Sequence, residues 1–185
     1  MVGSKKVVRV RWGKPQAGWC CLSTDGFASA SSGRAGCGGL IRDEQGEWVG
    51  GFPRRLGCLD SFIAELWGLR NGPMLCKNMN LNAVSVQLDA MSIVQLLTSP
   101  TITNLPVLPL INDCRQLISQ IAQVRIVHCF CEANSCTDCL ARIGSVQERP
   151  FILYQDLPVD LLELLCSDRF GLYVNKTVAD SPFPP

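Results

Sequence analysis

The sequence predicts an α/β domain: a mixed five-stranded sheet, antiparallel over strands one to three and continued by two strand-helix units, flanked by helices. Three observations predict it. Three short extended runs, the last two joined by turn residues, occupy positions 18–52. Beyond residue 60, helical periodicity alternates with short β-branched runs. Hydrophobic residues make up 47% of 185 and charged residues 18%, a balance that supplies one domain core and excludes disorder for most of the chain.

The first three strands are read at 18–24, 37–42 and 47–52. Asp43-Glu44-Gln45-Gly46 between the last two has hairpin-turn chemistry, with Gly46 available for positive φ. A helix follows over 61–77, with Phe62, Leu66 and Leu69 at helical spacing, Asp60 or Ser61 as N-cap and Glu65 in its first turns. Gly72-Pro73 is expected to bend or end it, because proline removes a backbone bond and clashes with the preceding turn.

The run 83–88 reads as a strand and 91–97 as a short helix; 99–104 reads as a loop. Val107, Leu110, Ile111, Cys114, Ile118 and Ile121 then mark an amphipathic helix. A last strand is read at 124–130 and a helix at 135–146 with Leu140 and Ile143 inward. Right-handed crossovers bring the first, fourth and fifth strands side by side near the sheet centre. The glycines of Ala35-Gly36-Cys37-Gly38-Gly39 precede no helix, so they are read as places where the strand bends or another backbone approaches. The domain is placed at 15–150, between a basic arm at 1–14 and a C-terminal extension at 151–185, with a short helix over 159–165 and a Pro-rich end.

Residues 1–14 hold Lys5, Lys6, Arg9, Arg11 and Lys14 and no acid, which leaves twelve bases against sixteen acids elsewhere. Such an arm can meet phosphate or simply remain solvated. No apolar run reaches membrane-spanning length and the N-terminus lacks a secretory h-region, so an intracellular protein, nuclear or cytoplasmic, not secreted and without a membrane partner, is expected. Eleven cysteines, an odd number, speak against a disulfide framework. Cys129-x-Cys131 and Cys136-x-x-Cys139 could offer four thiolates to zinc, but the pairs lie closer together than in finger or ribbon sites, which favours small buried side chains in a reducing compartment.

Four acids stand out by position. Asp25 ends the first strand, Glu65 lies in the first helix, Asp89 follows the fourth strand and Asp138 lies near the start of the last domain helix. Taken singly, each reads as a cap or a surface charge. Together at neighbouring element ends they repel one another unless cations sit between them. Oxygen-only ligands suit Mg²⁺ or Mn²⁺, and a pair of such ions is a device for phosphodiester hydrolysis.

The sequence here resembles the plant ribonuclease H-like proteins, of type I ribonuclease H fold, related to the C-terminal domains of non-LTR retrotransposon polyproteins. The residues that carry the resemblance are Gly18-Trp19, Ser23-Thr24-Asp25-Gly26, Ala35 to Asp43, Gly46-Glu47-Trp48, Ala64-Glu65-Leu66-Trp67-Gly68-Leu69, Val86-Gln87-Leu88-Asp89-Ala90, His128 to Asn134 and Thr137-Asp138-Cys139-Leu140-Ala141. The tail from Leu157-Pro158 to Gly171 is similar too, so coverage runs over residues 12–171.

The resemblance implies metal-dependent hydrolysis of the RNA strand of RNA/DNA hybrids, with Asp25, Glu65, Asp89 and Asp138 both catalytic and metal-binding. It further implies Mg²⁺ or Mn²⁺ as cofactor, Gly26 and Asn134 as substrate contacts, and a monomer. Departures are Cys131 where these relatives carry arginine, Pro73 within a helix, and the absence of a basic substrate-binding protrusion. A non-catalytic nucleic-acid-binding or interaction domain derived from a retrotransposon is the alternative, and a DNA nuclease or integrase-like transferase a third reading. His128, the single histidine, alternates with Ile126 and Phe130 on one strand face and is read as packed beside the core rather than as a proton shuttle.

Overall fold

The computed structural model describes residues 5–99 and 106–179. The loop read at 99–104 lies, beyond Ser99, outside the described residues, as does the Pro-rich end. The main sheet contains β2 (Cys20–Ser29), β3 (Arg34–Arg42), β4 (Trp48–Gly57), β5 (Ala83–Leu88) and β6 (Gln123–His128), in the order β4-β3-β2-β5-β6. The meander β2-β3-β4 is antiparallel, while β5 runs parallel to β2 and β6 parallel to β5. The expected neighbours are therefore adjacent, but β6 is an edge strand rather than central. Its residues alternate between exposed and half-buried, as one covered face requires. The turn into β4 has Gly46 at φ 84°, and the Asp43 carboxylate accepts from the N–H groups of Gln45 and Glu47, both at 2.9 Å.

The meander strands are longer than the sequence suggests. β2 pairs with β3 from Cys21↔Arg42 to Ser29↔Arg34, so Asp25 lies inside the strand and not at its end. Gly26 and Ala28 on either side of Phe27 have little intrinsic strand preference, and the long pairing with β3 carries the segment.

Helix α1 (Ser61–Asn78) is capped by Asp60, whose carboxylate accepts from the Ile63 N–H at 2.8 Å. Pro73 neither ends nor divides it: the ladder continues to Met79, whose N–H reaches Leu75 O at 3.0 Å. Proline removes one bond, but its turn is buried through Gly72, Pro73, Leu75 and Cys76, and packing holds the helix together across the gap. With α2 (Met91–Thr98) and α3 (Leu108–Ser119), α1 covers one sheet face over a core that includes Leu22, Ile41, Phe52, Leu69, Val86 and Ile111.

On the other face, α4 (Ser135–Val146) lies against β3. A Cβ at Gly38 would stand 2.6 Å from the Ala141 backbone nitrogen, so the glycine run serves the close backbone approach read from the sequence. Leu140 is fully buried, but Ile143, read as inward, is only half-buried. At this separation Gly144 and Ser145 face the strands instead.

The terminal segments are more ordered than the sequence shows. β1 (Lys5–Val10) pairs antiparallel with β7 (Val174–Ala179) over all six positions, so residues 5–10 of the basic arm are strand. A 3₁₀ turn at Val159–Leu161 leads into α5 (Leu162–Arg169). Both ends are tied to the sheet by buried and part-buried polar bonds. Trp12 Nε1 donates to Gln87 Oε1 at 2.9 Å, and Gln87 returns a bond to Gly13 O at 3.1 Å. Arg42, 1% exposed, donates to Asp168 of α5 at 2.6 Å, and its guanidinium lies 3.6 Å from the centre of the Trp12 ring.

Candidate active site

The parallel pair β2-β5 sets the positions of two acids. Its register ends at Ser23↔Gln87, and two residues further along each chain come Asp25 and Asp89. Beyond that point β2 stays paired with β3 alone, so the sheet opens at the carboxyl ends of two parallel strands, where ligands of open α/β sheets commonly bind. Glu65 enters from α1 because Gly26 leaves room for the helix backbone: a Cβ there would overlap the Glu65 nitrogen and stand 2.8 Å from its Cα.

One carboxylate oxygen from each of Asp25, Glu65 and Asp89 lies within 4.8 Å of the other two. Asp25 is buried, and its Oδ1 accepts from the Gly26 N–H at 2.8 Å. Glu65 and Asp89 are half-buried, and Asp89 Oδ1 is enclosed with no hydrogen-bond partner. Burial and the neighbouring charge of Asp89 push the Asp25 carboxyl well above its usual range, and burial and Asp25 do the same to Glu65. Burial raises Asp89 as well, opposed by the side chains of Cys131 and Asn134. Three converging carboxyls that resist full ionisation, one with an enclosed unpartnered oxygen, are the donor set expected of a hard divalent cation.

Asp138 borders the same cleft, a cavity of about 390 Å³ lined by Asp25, Asp89, Cys131, Glu132, Ser135, Asp138 and Arg142. It stands outside the group of three, and its Oδ2 is bound by Arg142 Nε at 2.8 Å. Asn134, read from the resemblance as a substrate contact, is 2% exposed. Its amide donates to Thr24 O at 3.2 Å and its Oδ1 accepts from Thr137 Oγ1. It therefore locks the start of α4 onto β2 beside Asp25 and, one turn later, sets the place of Asp138. Gly26 acts through its N–H and its missing side chain. His128 packs edge-on to Phe130, ring centres 5.7 Å apart, with Nε2 3.1 Å from the Asp89 carbonyl oxygen.

Sequence reasoning missed Glu132, Ser135 and Arg142 as cleft residues. Only Arg142 had a signal, its i,i+4 spacing from Asp138. Lys176 was missed as well: it reaches from β7 to Glu132 Oε2 at 2.8 Å.

Residues 23–144 match the model of a family described as reverse transcriptase-like. An Arabidopsis thaliana protein named "Putative ribonuclease H protein" is 31% identical over 162 residues, covering 88% of this chain. The match takes in 26% of that protein, so the chain spans about a quarter of its relative's length. The crystal structure of RNase H1 from Halobacterium salinarum superposes with a TM-score of 0.64 at 20% identity, covering 68% of this chain and 96% of that one. LC11-RNase H1, solved in complex with an RNA/DNA hybrid, gives 0.60 at 19% identity over 68% and 96%. The central parallel pair with helices on both faces thus has its counterpart in known structures, and the chain belongs to the reverse transcriptase-like family on a ribonuclease H fold.

Proposed function

We propose that this chain hydrolyses the RNA strand of RNA/DNA hybrids at the Asp25, Glu65 and Asp89 cluster, using Mg²⁺ or Mn²⁺. The observation that carries the reading is the convergence of three carboxylate oxygens within 4.8 Å at the open end of the β2-β5 pair. The family match and the curated relative's name support the reaction class.

Asp25, Glu65 and Asp89 would hold the cation, with Asp138 completing the set from the far wall. Bound there, a divalent ion polarises a phosphoryl oxygen and lowers the pKa of a water. The protein supplies the orientation. The Gly26 N–H fixes the Asp25 carboxylate, and the Asp60 cap anchors the turn of α1 that presents Glu65. Asn134 holds α4 at the distance that sets the cleft width. Release of Asp138 from Arg142 would free a carboxylate for the ion and a guanidinium for a substrate phosphate.

The same ion pair is the observation that favours the second reading, a non-catalytic nucleic-acid-binding domain, since it holds the fourth acid away from the other three. Incubating the protein with end-labelled hybrid, duplex DNA and duplex RNA, each with Mg²⁺, with Mn²⁺ or with EDTA, separates the two. Cleavage confined to the RNA strand of the hybrid and abolished by EDTA is the expected result. Binding of hybrid without cleavage in either metal contradicts the hydrolase.

A further inference from the structure

The β1-β7 ribbon, absent from the fold expected of the sequence, stands beside the candidate active site. Its two faces differ. On one, Val10 is buried, as is Trp12 just beyond the strand, while Lys176 reaches Glu132 at 2.8 Å and lies 4.6 Å from the Phe130 ring centre. On the other, Lys5, Val7 and Arg9 are exposed, with Thr177 opposite Val7 and Asn175 opposite Arg9, and Arg11 continues the series. The Arg9 and Arg11 guanidinium groups lie 4.6 and 4.9 Å from the ring centre of Tyr173, which is half exposed.

No acid occurs in residues 5–12 or 172–179. None of Lys5, Lys6, Arg9 and Arg11 is ion-paired with a described acid. The ribbon is also continuous with the cleft. Glu132 and Ser135 line both the carboxylate cavity and a second cavity of about 250 Å³ bordered by Arg11, Trp12 and Tyr173.

We propose that the exposed face of the β1-β7 ribbon, through Lys5, Arg9, Arg11 and Tyr173, binds the sugar-phosphate backbone of the nucleic acid that the cleft acts on. The proposal rests on the reading above for the identity of the substrate. Forked guanidinium donors match phosphate oxygens, and an exposed tyrosine ring flanked by cations offers a surface for a sugar or an unpaired base. Positive charge with no ion-pair partner among the described acids, carried on a two-stranded element, favours a polyanion. Because Lys176 and Glu132 fix that element to the cleft wall, the bound backbone is directed toward the carboxylates. The ribbon thus supplies the basic surface that the otherwise acidic body lacks.

The test is equilibrium binding of the full chain to a fluorescent RNA/DNA hybrid in EDTA, across a salt series, for the wild type, Arg9→Gln/Arg11→Gln, Arg9→Lys/Arg11→Lys and Asn175→Glu/Thr177→Glu. Each phosphate contact adds about 0.9 to the magnitude of the log K against log [salt] slope on B-DNA. The glutamine pair is expected to flatten the slope by about 1–2 and to weaken binding about tenfold or more near 0.1 M salt, as the same relation requires. The lysine pair keeps the slope, and the glutamate pair lowers affinity without touching either arginine, which serves if the glutamine pair fails to fold. The magnesium-induced rise in melting temperature stays at its wild-type size in the folded variants, because none of them touches the carboxylates.

Unchanged slopes in the glutamine and glutamate variants overturn the ribbon and leave the hydrolase standing. Weakened binding in those variants with no cleavage by the wild type supports the ribbon and removes the hydrolase. If a polyglutamate peptide binds as tightly as the hybrid and loses affinity in the same variants, the face is a site for acidic protein and the proposal falls.

Discussion

Gly26 and Glu65 touch through their backbones: a side chain on the glycine would occupy the space of the Glu65 nitrogen. The contact joins β2 to α1 next to Asp25, and it lets a helical acid reach the same point as a strand acid. Gly26→Ala is therefore expected to push α1 off the sheet at its Glu65 end. A loss of about 1–3 kcal/mol in denaturant unfolding is the cost of such overpacking. The variant should also lose magnesium-dependent stabilisation. Wild-type midpoint and wild-type metal response in this variant would show that the approach is dispensable.

Asp25→Asn is expected to abolish cleavage while stabilising the metal-free protein near pH 8 by about 1–3 kcal/mol, a size typical of single buried-charge changes. The sign follows from the raised carboxyls. A group whose folded pKa lies above its unfolded value near 4 holds its proton longer in the folded state. Its contribution to stability is full below pH 4 and is lost as pH rises through its raised folded pKa. The advantage of Asp25→Asn over the wild type should accordingly shrink toward pH 4, as melts at several pH values in EDTA would show. A variant less stable than wild type at pH 8 would make Asp25 a structural residue.

Asp168→Ala leaves the fully buried Arg42 guanidinium without its acid, and breaking a buried pair from one side costs about 3–5 kcal/mol. Because Asp168 sits on α5, the C-terminal segment should detach first and become the site of limited proteolysis. Equal protease resistance of variant and wild type would show that α5 is held by its apolar contacts alone.

His128→Ala should lower the melting temperature and leave magnesium-dependent turnover within about tenfold, less than the 10²–10⁴ lost with a general acid or base. Its ring nitrogen lies at the Asp89 carbonyl and its ring stands near-perpendicular to that of Phe130, both packing relationships. A hundredfold fall in turnover at an unchanged melting temperature would instead make it catalytic.

The central elements were legible because local signals and tertiary packing agree in them. The spacing of Ile111, Cys114 and Ile118 gave α3 and the Asp60 cap gave the start of α1; of the four acids singled out, three converge, although Asp25 lies inside its strand and Asp138 stands apart. Where the two disagree, the sequence misleads. Pro73 signals a break that the buried turn around it overrides, and Gly26 to Ser29 extends as strand only because β3 pairs with it. The β1-β7 ribbon was hidden by distance, since its strands lie more than 160 residues apart and pairing at that separation leaves no local mark. Asn134 shares this limit: the resemblance implies a substrate contact, and only the fold reveals its amide donating to Thr24 O.

Whether Asp25, Glu65 and Asp89 form one divalent-cation site is decided most directly by thermal melts of wild type and Asp25→Asn over a Mg²⁺ titration near pH 8. A ligand at 100 times its dissociation constant stabilises the folded state by about 2.7 kcal/mol. The wild type is expected to rise in melting temperature with Mg²⁺ from a lower metal-free value, while Asp25→Asn starts higher and stays flat. Equal rises in both proteins, or no rise in the wild type, would contradict the site.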